Sequence, residues 1–214
     1  MDQVKREALR YLGYGKNTAD CAALNLIDSC MEEVQKGADP KHIYREYPLR
    51  FLEDGTLDLG AFQTKSKHLF KNLQDCCQVI LFAATLGTGI DVLLHRYTRL
   101  EMSRAVVMQA CAAAWIEDYC DRINENMKKE YEAKGLYLRP RFSPGYGDFS
   151  LECQKPLTAA LETGKRIGIT LTDSLLMVPS KSVTAVMGVS EKPYRCEVKG
   201  CEACEMKNCV YRRG

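Results

Sequence analysis

The chain has 214 residues, which suffices for one sizeable hydrophobic core or for one domain with a small appendage. Its 30 Lys and Arg nearly balance its 28 Asp and Glu, giving a formal net charge of +2, and the mean hydropathy is -0.28. Nucleic-acid-binding proteins normally carry a much larger basic excess, so this balance argues against a nucleic-acid partner. No apolar run reaches the ~20 residues that a membrane-spanning helix needs, so we expect no membrane partner.

The N-terminal segment MDQVKREALRYLG is charged and amphipathic and lacks the continuous apolar core of a signal peptide, so we expect a cytoplasmic protein. The 11 cysteines are many for that compartment, and an odd number argues against a closed disulfide framework. Seven of them are scattered among apolar neighbours, where free cysteine usually behaves as a small buried hydrophobe. The other four crowd into the last 20 residues.

The first part of the chain has the apolar spacing of two helices. One helix is predicted over residues 4–12, ending at the glycines that follow. A second should be capped by Asn17 or Thr18, because these side chains can accept hydrogen bonds from the first turn. We expect Gly37 to end this helix in a left-handed conformation.

The middle of the chain alternates between strand and helix patterns. Residues 41–60 predict two antiparallel strands joined by a hairpin-type turn at Asp54–Gly55. Residues 62–77 predict a helix, and Val79–Gly89 predicts a fully buried strand that ends in a glycine turn. A single long helix is then expected to run from Ile90 to Gly135.

Close packing is expected along that long helix, because Ala110–Ala114 has only small side chains, and Trp115 should lie in the core. Lys155–Gly164 predicts a further helix, and the following residues alternate like strands with a break at Pro179. Strands and helices mixed without regular βαβ repetition predict the α+β class.

The segment RPRFSPGYGDF, Arg139–Phe149, is the strongest candidate for a binding loop. Its prolines fix φ and its glycines permit conformations closed to other residues, so the loop has a defined shape. Arg141 can offer a planar fork of donors to a carboxylate or phosphate, and Tyr146 offers a ring face and a hydroxyl. Two interpretations remain open from the residues alone: a tight turn with Arg141 in a surface ion pair, or a ligand site.

The order of residues from Arg141 to Tyr146 resembles the RxxxGY loop with which the activation domain of cobalamin-dependent methionine synthase holds S-adenosylmethionine. The likeness continues downstream in Leu161–Val186 and upstream in the Ala-rich helix that contains Glu117 and Asp121. Together these segments cover roughly half of the chain. The resemblance implies an antiparallel sheet, flanked by helices and curved into a C-shape.

The resemblance also implies a set of ligand contacts. Arg141 would bind the carboxylate of S-adenosylmethionine, while main-chain groups around Ser143, Gly145 and Tyr146 would hold its amine and adenine. Glu117 and Asp121 resemble the acidic helix positions that face the ligand in the family. Their i, i+4 spacing puts both on one helix face, which is equally compatible with a solvated acidic edge.

The C-terminal segment carries four cysteines in a C-x4-C-x2-C-x4-C arrangement: Cys196, Cys201, Cys204 and Cys209. Thiolates so closely spaced in a cytosolic chain are more often metal ligands than disulfides. Zinc and a [4Fe-4S] cluster both use four sulfurs. The C-x2-C-x4-C part resembles the motif of corrinoid iron–sulfur proteins, although Glu205 replaces a glycine there. We favour the cluster, since a redox centre would be useful beside a corrinoid partner.

These observations predict an activation domain over residues 1–192 and a metal-binding tail over residues 193–214. The resemblance implies an accessory component of methionine synthase, a methyltransferase of methionine biosynthesis, that serves the reductive remethylation of cob(II)alamin and has no catalytic residue of its own. The sequence has no cobalamin-binding DxHxxG motif. We therefore expect a stand-alone subunit that meets cobalamin only on a separate methionine synthase or corrinoid protein.

An alternative comes from two departures from the family pattern. Gly147-Asp148-Phe149 replaces the run that follows the family's GY, and no counterpart of its N-terminal acidic ligand is evident. The chain could instead be a non-catalytic docking module for a corrinoid protein, without S-adenosylmethionine binding and with a structural zinc tail.

Overall fold

A computed structural model describes residues 3–14 and 17–193 of the chain. Within these residues the α-helices are α1 (Gln3–Tyr11), α2 (Cys21–Gly37), α3 (Lys67–Leu73), α4 (Thr88–Leu100), α5 (Met102–Glu132), α6 (Gln154–Leu161) and α7 (Thr163–Arg166), with a 3₁₀ turn at Leu151–Cys153. The strands are β1 (Lys41–Pro48), β2 (Arg50–Phe51), β3 (Leu57–Asp58), β4 (Gln63–Thr64), β5 (Gln78–Thr85), β6 (Tyr137–Leu138), β7 (Thr170–Leu171), β8 (Met177–Val178) and β9 (Ser182–Ser190). The four-cysteine tail lies outside the described residues.

The main sheet has the strand order β1-β5-β9-β6, and every neighbouring pair is antiparallel. Its two central strands are almost wholly buried, as the continuous apolar run in β5 predicts. Strands β2, β3 and β4 form a small second sheet, and β7 pairs with β8. The sheets and helices confirm the α+β class with an antiparallel sheet flanked by helices.

Side chains of β5 alternate between two hydrophobic layers, because successive residues of a strand point to opposite faces. Ile80 and Phe82 face a layer built by α1, α2, α4 and α5. Val79 and Leu81 face a second layer, which contains residues of α3, α6 and the β2–β3–β4 sheet. The sheet therefore separates two cores, and the first includes the buried alanines of α5 that allow the helices to approach closely.

Helix α2 begins and ends differently from the sequence prediction. Its N-cap is Asp20, whose side chain accepts from the main-chain N–H of Ala23 at 2.7 Å, so the expected cap at Asn17 or Thr18 was wrong. Gly37 stays within the helix, and the chain leaves through Ala38 in an extended conformation. Gly37 is instead close to α4: a Cβ on Gly37 would lie 2.7 Å from Leu93 Cδ1, and a Cβ on Gly89 of α4 would lie 2.2 Å from the Gly37 carbonyl oxygen.

The predicted helix from Ile90 to Gly135 is in fact two helices. Glu101 adopts an extended conformation (φ -157°, ψ 94°) and separates α4 from α5. The apolar pattern hid this break because Leu100 and Met102, which flank it, are 69% and 60% exposed. Both residues continue the helical spacing of apolar residues in the sequence, but neither side chain is part of the core.

Several other elements have the type that was predicted for them, but their lengths differ from the prediction. Asp54–Gly55 does form the turn between β2 and β3, with Gly55 at φ 78° and Thr56 N–H donating to Asp54 Oδ1 at 3.0 Å. The region before it holds two strands, the eight-residue β1 and the short β2, where one strand was predicted. The helix expected over residues 62–77 is confined to α3, and the one expected after residue 155 is split into α6 and α7 by Glu162 at φ 52°.

Among the described residues, no helix combines the length and apolar character needed to cross a membrane.

Candidate functional site

The first half of the 139–149 segment is held against the sheet beside β9. Arg139 N–H donates to the Gly188 carbonyl at 2.8 Å. Phe142 and Val186 then exchange two main-chain hydrogen bonds of 2.9 Å each. The segment thus follows the β6 edge of the sheet, which fixes the direction in which its alternate side chains point.

The two arginines of this segment have different positions. Arg139 is buried beneath β9, where its Nη2 donates to the Gln74 carbonyl at 3.2 Å and to Ser190 Oγ at 3.4 Å. A Cβ on Gly188 would approach the Arg139 side chain to 3.0 Å, so the glycine makes room for it. Arg139 is therefore a structural residue next to the end of α3, whereas Arg141, beyond Pro140, reaches α5 on the opposite face of the main sheet.

The second half of the segment closes on itself. Gly145 N–H donates to the Phe149 carbonyl at 2.8 Å, Tyr146 N–H to the Ser143 carbonyl at 3.2 Å, and Phe149 N–H to the Tyr146 carbonyl at 3.0 Å. Gly145 and Gly147 have φ of 93° and 56°, which explains glycine at both places. Phe149 is buried in the second core, and Tyr146 stands at the tip with 69% exposure.

Asp148 ties this loop to the start of α3. Its carboxylate accepts from Ser66 Oγ, from Lys67 N–H at 2.7 Å and from His68 N–H at 3.1 Å. The Ser66 hydroxyl and these two main-chain donors lower the pKa of Asp148 to about 2. The departure from the family pattern at Gly147-Asp148-Phe149 thus has a structural role, because it anchors the loop to a distant helix terminus.

Arg141, Glu117 and Asp121 come together on the surface of α5. Arg141 Nη2 lies 2.8 Å from Asp121 Oδ1 and 3.3 Å from Glu117 Oε2. The two carboxylates share one helix face, as their spacing predicts. The Arg141 side chain is only 16% exposed, while those of Glu117 and Asp121 are 44% and 55% exposed.

One terminal nitrogen of Arg141 takes no part in these ion pairs. Its Nη1 is buried and has no hydrogen-bond partner among the described residues. Buried donors without partners are rare and costly in folded proteins. One guanidinium beside two carboxylates also leaves the cluster with a formal charge of minus one. An anionic oxygen on Nη1, together with a positive group near the carboxylates, would satisfy both features.

The sequence matches the family described as "Vitamin B12 dependent methionine synthase, activation domain" over residues 69–214. This chain belongs to that family. No curated protein matches the sequence. Among solved structures, the chain is similar to one described as "Crystal Structure of the MetH Reactivation Domain bound to AdoHcy", with 15% identity and a TM-score of 0.61. The alignment covers 87% of this chain and 76% of that one, so the two share a fold.

The matched range clarifies how far the family likeness extends in this activation domain. It contains the whole 139–149 loop, Glu117 and Asp121, and it also runs through the cysteine-rich tail, to which the initial resemblance did not extend. It does not include α1 or α2. The structural alignment is longer than the family match, so it reaches into the region before residue 69.

That region adds an acidic residue which sequence reasoning missed. A small cavity of about 80 Å³ between α1 and α5 is lined by Gln3, Val4, Glu7, Ala114, Glu117, Asp118 and Asp121. Glu7 accepts from Arg10 at 2.6 Å and shares this cavity with both carboxylates of the Arg141 cluster. In sequence Glu7 is one charge on an amphipathic helix, and only the packing of α1 on α5 distinguishes it.

The described cysteines of the activation domain are free thiols. Burial raises the pKa of Cys30 to about 11 and those of Cys111 and Cys120 to about 12, so these three are inert. Cys76 and Cys153 are also buried, whereas Cys21 and Cys77 are exposed, contrary to expectation. Residues 3–14 and 17–193 contain no group of three or more side chains suited to hold a metal ion. The predicted ligands Cys196, Cys201, Cys204 and Cys209 lie outside those ranges.

Proposed function

We propose that this activation domain binds S-adenosylmethionine at the cluster of Arg141, Glu117 and Asp121 and presents it to a cobalamin-bearing methionine synthase or related corrinoid protein. The observation that carries the proposal is the unpartnered Nη1 of Arg141, which is buried beside two exposed carboxylates. A ligand with a carboxylate and two positive centres complements such a site. The bound S-adenosylhomocysteine of the similar reactivation domain is in keeping with this ligand class.

Each part of the ligand has a chemical counterpart in the site. Its carboxylate would take Arg141 Nη1, in the charge-assisted geometry that arginine favours. Its ammonium and sulfonium would be attracted by Glu117 and Asp121, with Glu7 as a third carboxylate from α1. Glu7 is thus our candidate for the N-terminal acidic contact that the sequence comparison lacked.

The 143–146 turn would contribute mainly acceptors. The N–H groups of Gly145 and Tyr146 are already used within the loop, while the carbonyls of Ser143 and Tyr146 each keep a second lone pair. Carbonyl oxygens can accept from the ligand's ammonium or from the adenine amino group. The exposed ring of Tyr146 offers a flat apolar surface for the adenine.

When bound, S-adenosylmethionine would supply the methyl group for reductive remethylation of the partner's cob(II)alamin. The residues of this chain would contribute binding and orientation rather than acid–base chemistry, and none is assigned a catalytic role. The protein would therefore be an accessory component of the methyltransferase, with cobalamin and the attacking centre on the partner.

Calorimetric titration with S-adenosylmethionine tests the ligand site. Arg141→Ala should weaken binding about 10- to 150-fold, as expected for loss of a charge-assisted hydrogen bond worth about 1.5–3 kcal/mol. Arg166→Ala is the matched control, because Arg166 also pairs with a carboxylate, Glu162 at 2.8 Å, but neither residue lines the acidic cavity of the cluster. Equal weak heats for wild type and Arg141→Ala would reject the site.

The second candidate is a docking module that has lost the ligand. It is favoured by one observation, namely that Arg141 already pairs with Glu117 and Asp121 and could serve only to fix the loop on α5. Pull-down with a purified cobalamin-domain protein distinguishes the two candidates. Association without any S-adenosylmethionine heat would favour the module. Failure to associate with any separate cobalamin protein from its own cell would argue against action in trans.

We also propose that residues 193–214 form a metal-binding tail through Cys196, Cys201, Cys204 and Cys209, which rests on the spacing of four thiolates. A [4Fe-4S] cluster would offer a one-electron couple at low potential, whereas zinc has none. Anaerobic purification with iron, sulfide and zinc analysis tests this. Cys201→Ser should lose the metal and the exposed Cys21→Ser should keep it. A colourless protein with one zinc would indicate a structural tail.

A further inference from the structure

A groove lies at the end of α1 opposite to the Arg141 cluster. Its volume is about 450 Å³, and it is lined by Tyr11, Leu12, Val106, Gln109, Ala110, Ala113 and Lys181. Glu7 and the small acidic cavity are near the start of α1, whereas Tyr11 and Leu12 are at its end. The groove is therefore separate from the proposed S-adenosylmethionine site, although α5 contributes to both.

The walls of this groove are largely apolar. Val106 is 54% exposed and has no cover among the described residues, and the alanines of α5 present a smooth surface beside it. Gln109 contributes an uncharged amide at the rim. A volume of this size falls within the ~300–1,000 Å³ of pockets that bind small organic molecules.

Lys181 is the one cation that the described residues place in this groove, and its backbone is fixed. The Lys181 carbonyl accepts from Leu86 N–H at 2.9 Å, immediately before β9 begins. The side chain is half-buried, but its Nζ has neither an ion pair nor a hydrogen bond to any described residue. The main chain of Lys181 is thus held in place, while its Nζ contacts no hydrogen-bond or ion-pair partner among the described residues.

One carboxylate acts on Lys181 electrostatically but forms no ion pair with it. Asp91 lies close enough to act on Lys181 electrostatically, yet its carboxylate accepts from Ser180 N–H at 3.0 Å and from Ser180 Oγ. Burial lowers the pKa of Lys181, and Asp91 opposes this only in part. The ammonium has therefore lost hydration on folding, which Asp91 offsets only in part, and an incoming anion would add a direct ion pair at Nζ.

We propose that this groove binds a small organic anion, a carboxylate with an apolar body, whose charged end contacts Lys181 Nζ and whose body lies against Tyr11, Leu12 and the α5 alanines. One cation among largely apolar lining residues matches one anionic group on an apolar body. Binding is non-covalent, and it is independent of S-adenosylmethionine because it uses none of the residues of the Arg141 cluster.

Hexanoate and hexan-1-ol are matched probes, since they share the apolar body and differ in the charged end. Each is titrated into the 15N-labelled full chain, and amide shifts are followed. Hexanoate should shift the signals of Gln109, Ala110, Ala113 and Lys181, and hexan-1-ol should bind at least about tenfold more weakly, as expected for loss of a charged hydrogen bond.

Variants at Lys181 decide the assignment. Lys181→Met keeps the stem and should reduce hexanoate affinity about tenfold while leaving hexan-1-ol unchanged, and Lys181→Arg should retain binding within about threefold. Lys36→Met, at a lysine that is 78% exposed on α2, is the control and should bind like wild type. S-adenosylmethionine titration should be unchanged in Lys181→Met, which separates this test from that of the proposed function.

Three outcomes would overturn the proposal. Hexanoate could bind wild type and Lys181→Met equally, it could shift residues away from the groove, or it could cause no shifts at millimolar concentration. Thermal unfolding of each variant establishes that it is folded, and retained binding in Lys181→Arg excludes general damage as the cause of a loss in Lys181→Met.

Discussion

Arg141 contacts two carboxylates through a single nitrogen, Nη2, and its other terminal nitrogen is buried without a described partner. If the ion pairs served stability alone, they would contribute little, because partly exposed pairs are worth about 0–1 kcal/mol. The net negative charge of this cluster would have a larger effect on ligand selectivity. It would favour a cationic sulfonium over its neutral thioether product.

The double variant Glu117→Gln/Asp121→Asn should therefore lose affinity for S-adenosylmethionine more than for S-adenosylhomocysteine. Each removed carboxylate is expected to cost up to about 1 kcal/mol toward the sulfonium, or about fivefold, because both are partly exposed. Calorimetry with both ligands at two salt concentrations measures the difference, which should shrink at high salt. Equal losses for the two ligands would show that the carboxylates only position Arg141.

Some residues of the site could be predicted from sequence and others could not. Arg141, Glu117 and Asp121 could be predicted because loop chemistry and i, i+4 spacing are local properties of the sequence. Glu7 and Asp148 were not, since their importance arises from contacts with α5 and α3, which are far away in the chain. The structure brings the three predicted side chains together, and their binding role stays a prediction.

At the level of elements, the 139–149 loop depends on its attachment to α3 through Asp148. The pKa of this carboxyl is about 2 in the folded protein and about 3.9 in an unfolded chain. A depressed folded-state pKa contributes stability that is complete above the unfolded value and lost as the pH falls toward the folded value. The attachment should therefore weaken between about pH 4 and pH 2.

Asp148→Ala tests this expectation. The variant should be less stable than wild type at pH 6, and the difference in free energy of unfolding should diminish below about pH 4 and be mostly lost by about pH 2. Urea unfolding across this pH range measures it. Asp173→Ala removes an exposed carboxylate for comparison and should follow the wild-type curve. A gap between wild type and Asp148→Ala that persists unchanged at pH 2 would contradict the electrostatic explanation.

The contact of α2 with α4 depends on two glycines. A Cβ on Gly89 would lie 2.2 Å from the Gly37 carbonyl oxygen, and main chain cannot move aside as a side chain can. Gly89→Ala should destabilise the protein by about 3 kcal/mol. Gly164→Ala is the matched control in α7, where the nearest non-local atom is 3.7 Å away, and it should change stability by less than about 1 kcal/mol. Denaturant unfolding compares the two, and similar losses would reject the close-packing account.

Element type was more predictable than element limits. Strand β5 and the Asp54–Gly55 turn could be predicted because local sequence patterns indicate them and tertiary contacts do not change them. The break at Glu101 was missed because Leu100 and Met102, although exposed, continue the spacing of apolar residues expected for a core-facing helix. The cap at Asp20 was missed because Asn17 and Thr18 offer similar capping side chains a few residues earlier, whereas the role of Gly37 was missed because it depends on packing against α4.

For the whole molecule, the main sheet makes the two cores interdependent. Leu81 and Phe82 are adjacent in β5 but face different layers, and both are almost completely buried. Leu81→Ala should cost about 2–5 kcal/mol and Phe82→Ala about 3–5 kcal/mol. Each should lower the midpoint of one cooperative transition, seen together by far-UV and near-UV circular dichroism. Separate transitions for the two layers would show that they unfold independently.

Strand β5 pairs with β1, which precedes it closely, and with β9, which follows only at Ser182–Ser190. On the ribosome, β5 therefore emerges roughly 5–20 s before its second neighbour at elongation rates of about 5–20 residues per second. Throughout that interval a nearly continuous apolar strand has one open edge, which is the kind of surface that templates aggregation. Nascent chains that stop before β9 should thus be recovered with chaperones or in aggregates, rather than as folded protein.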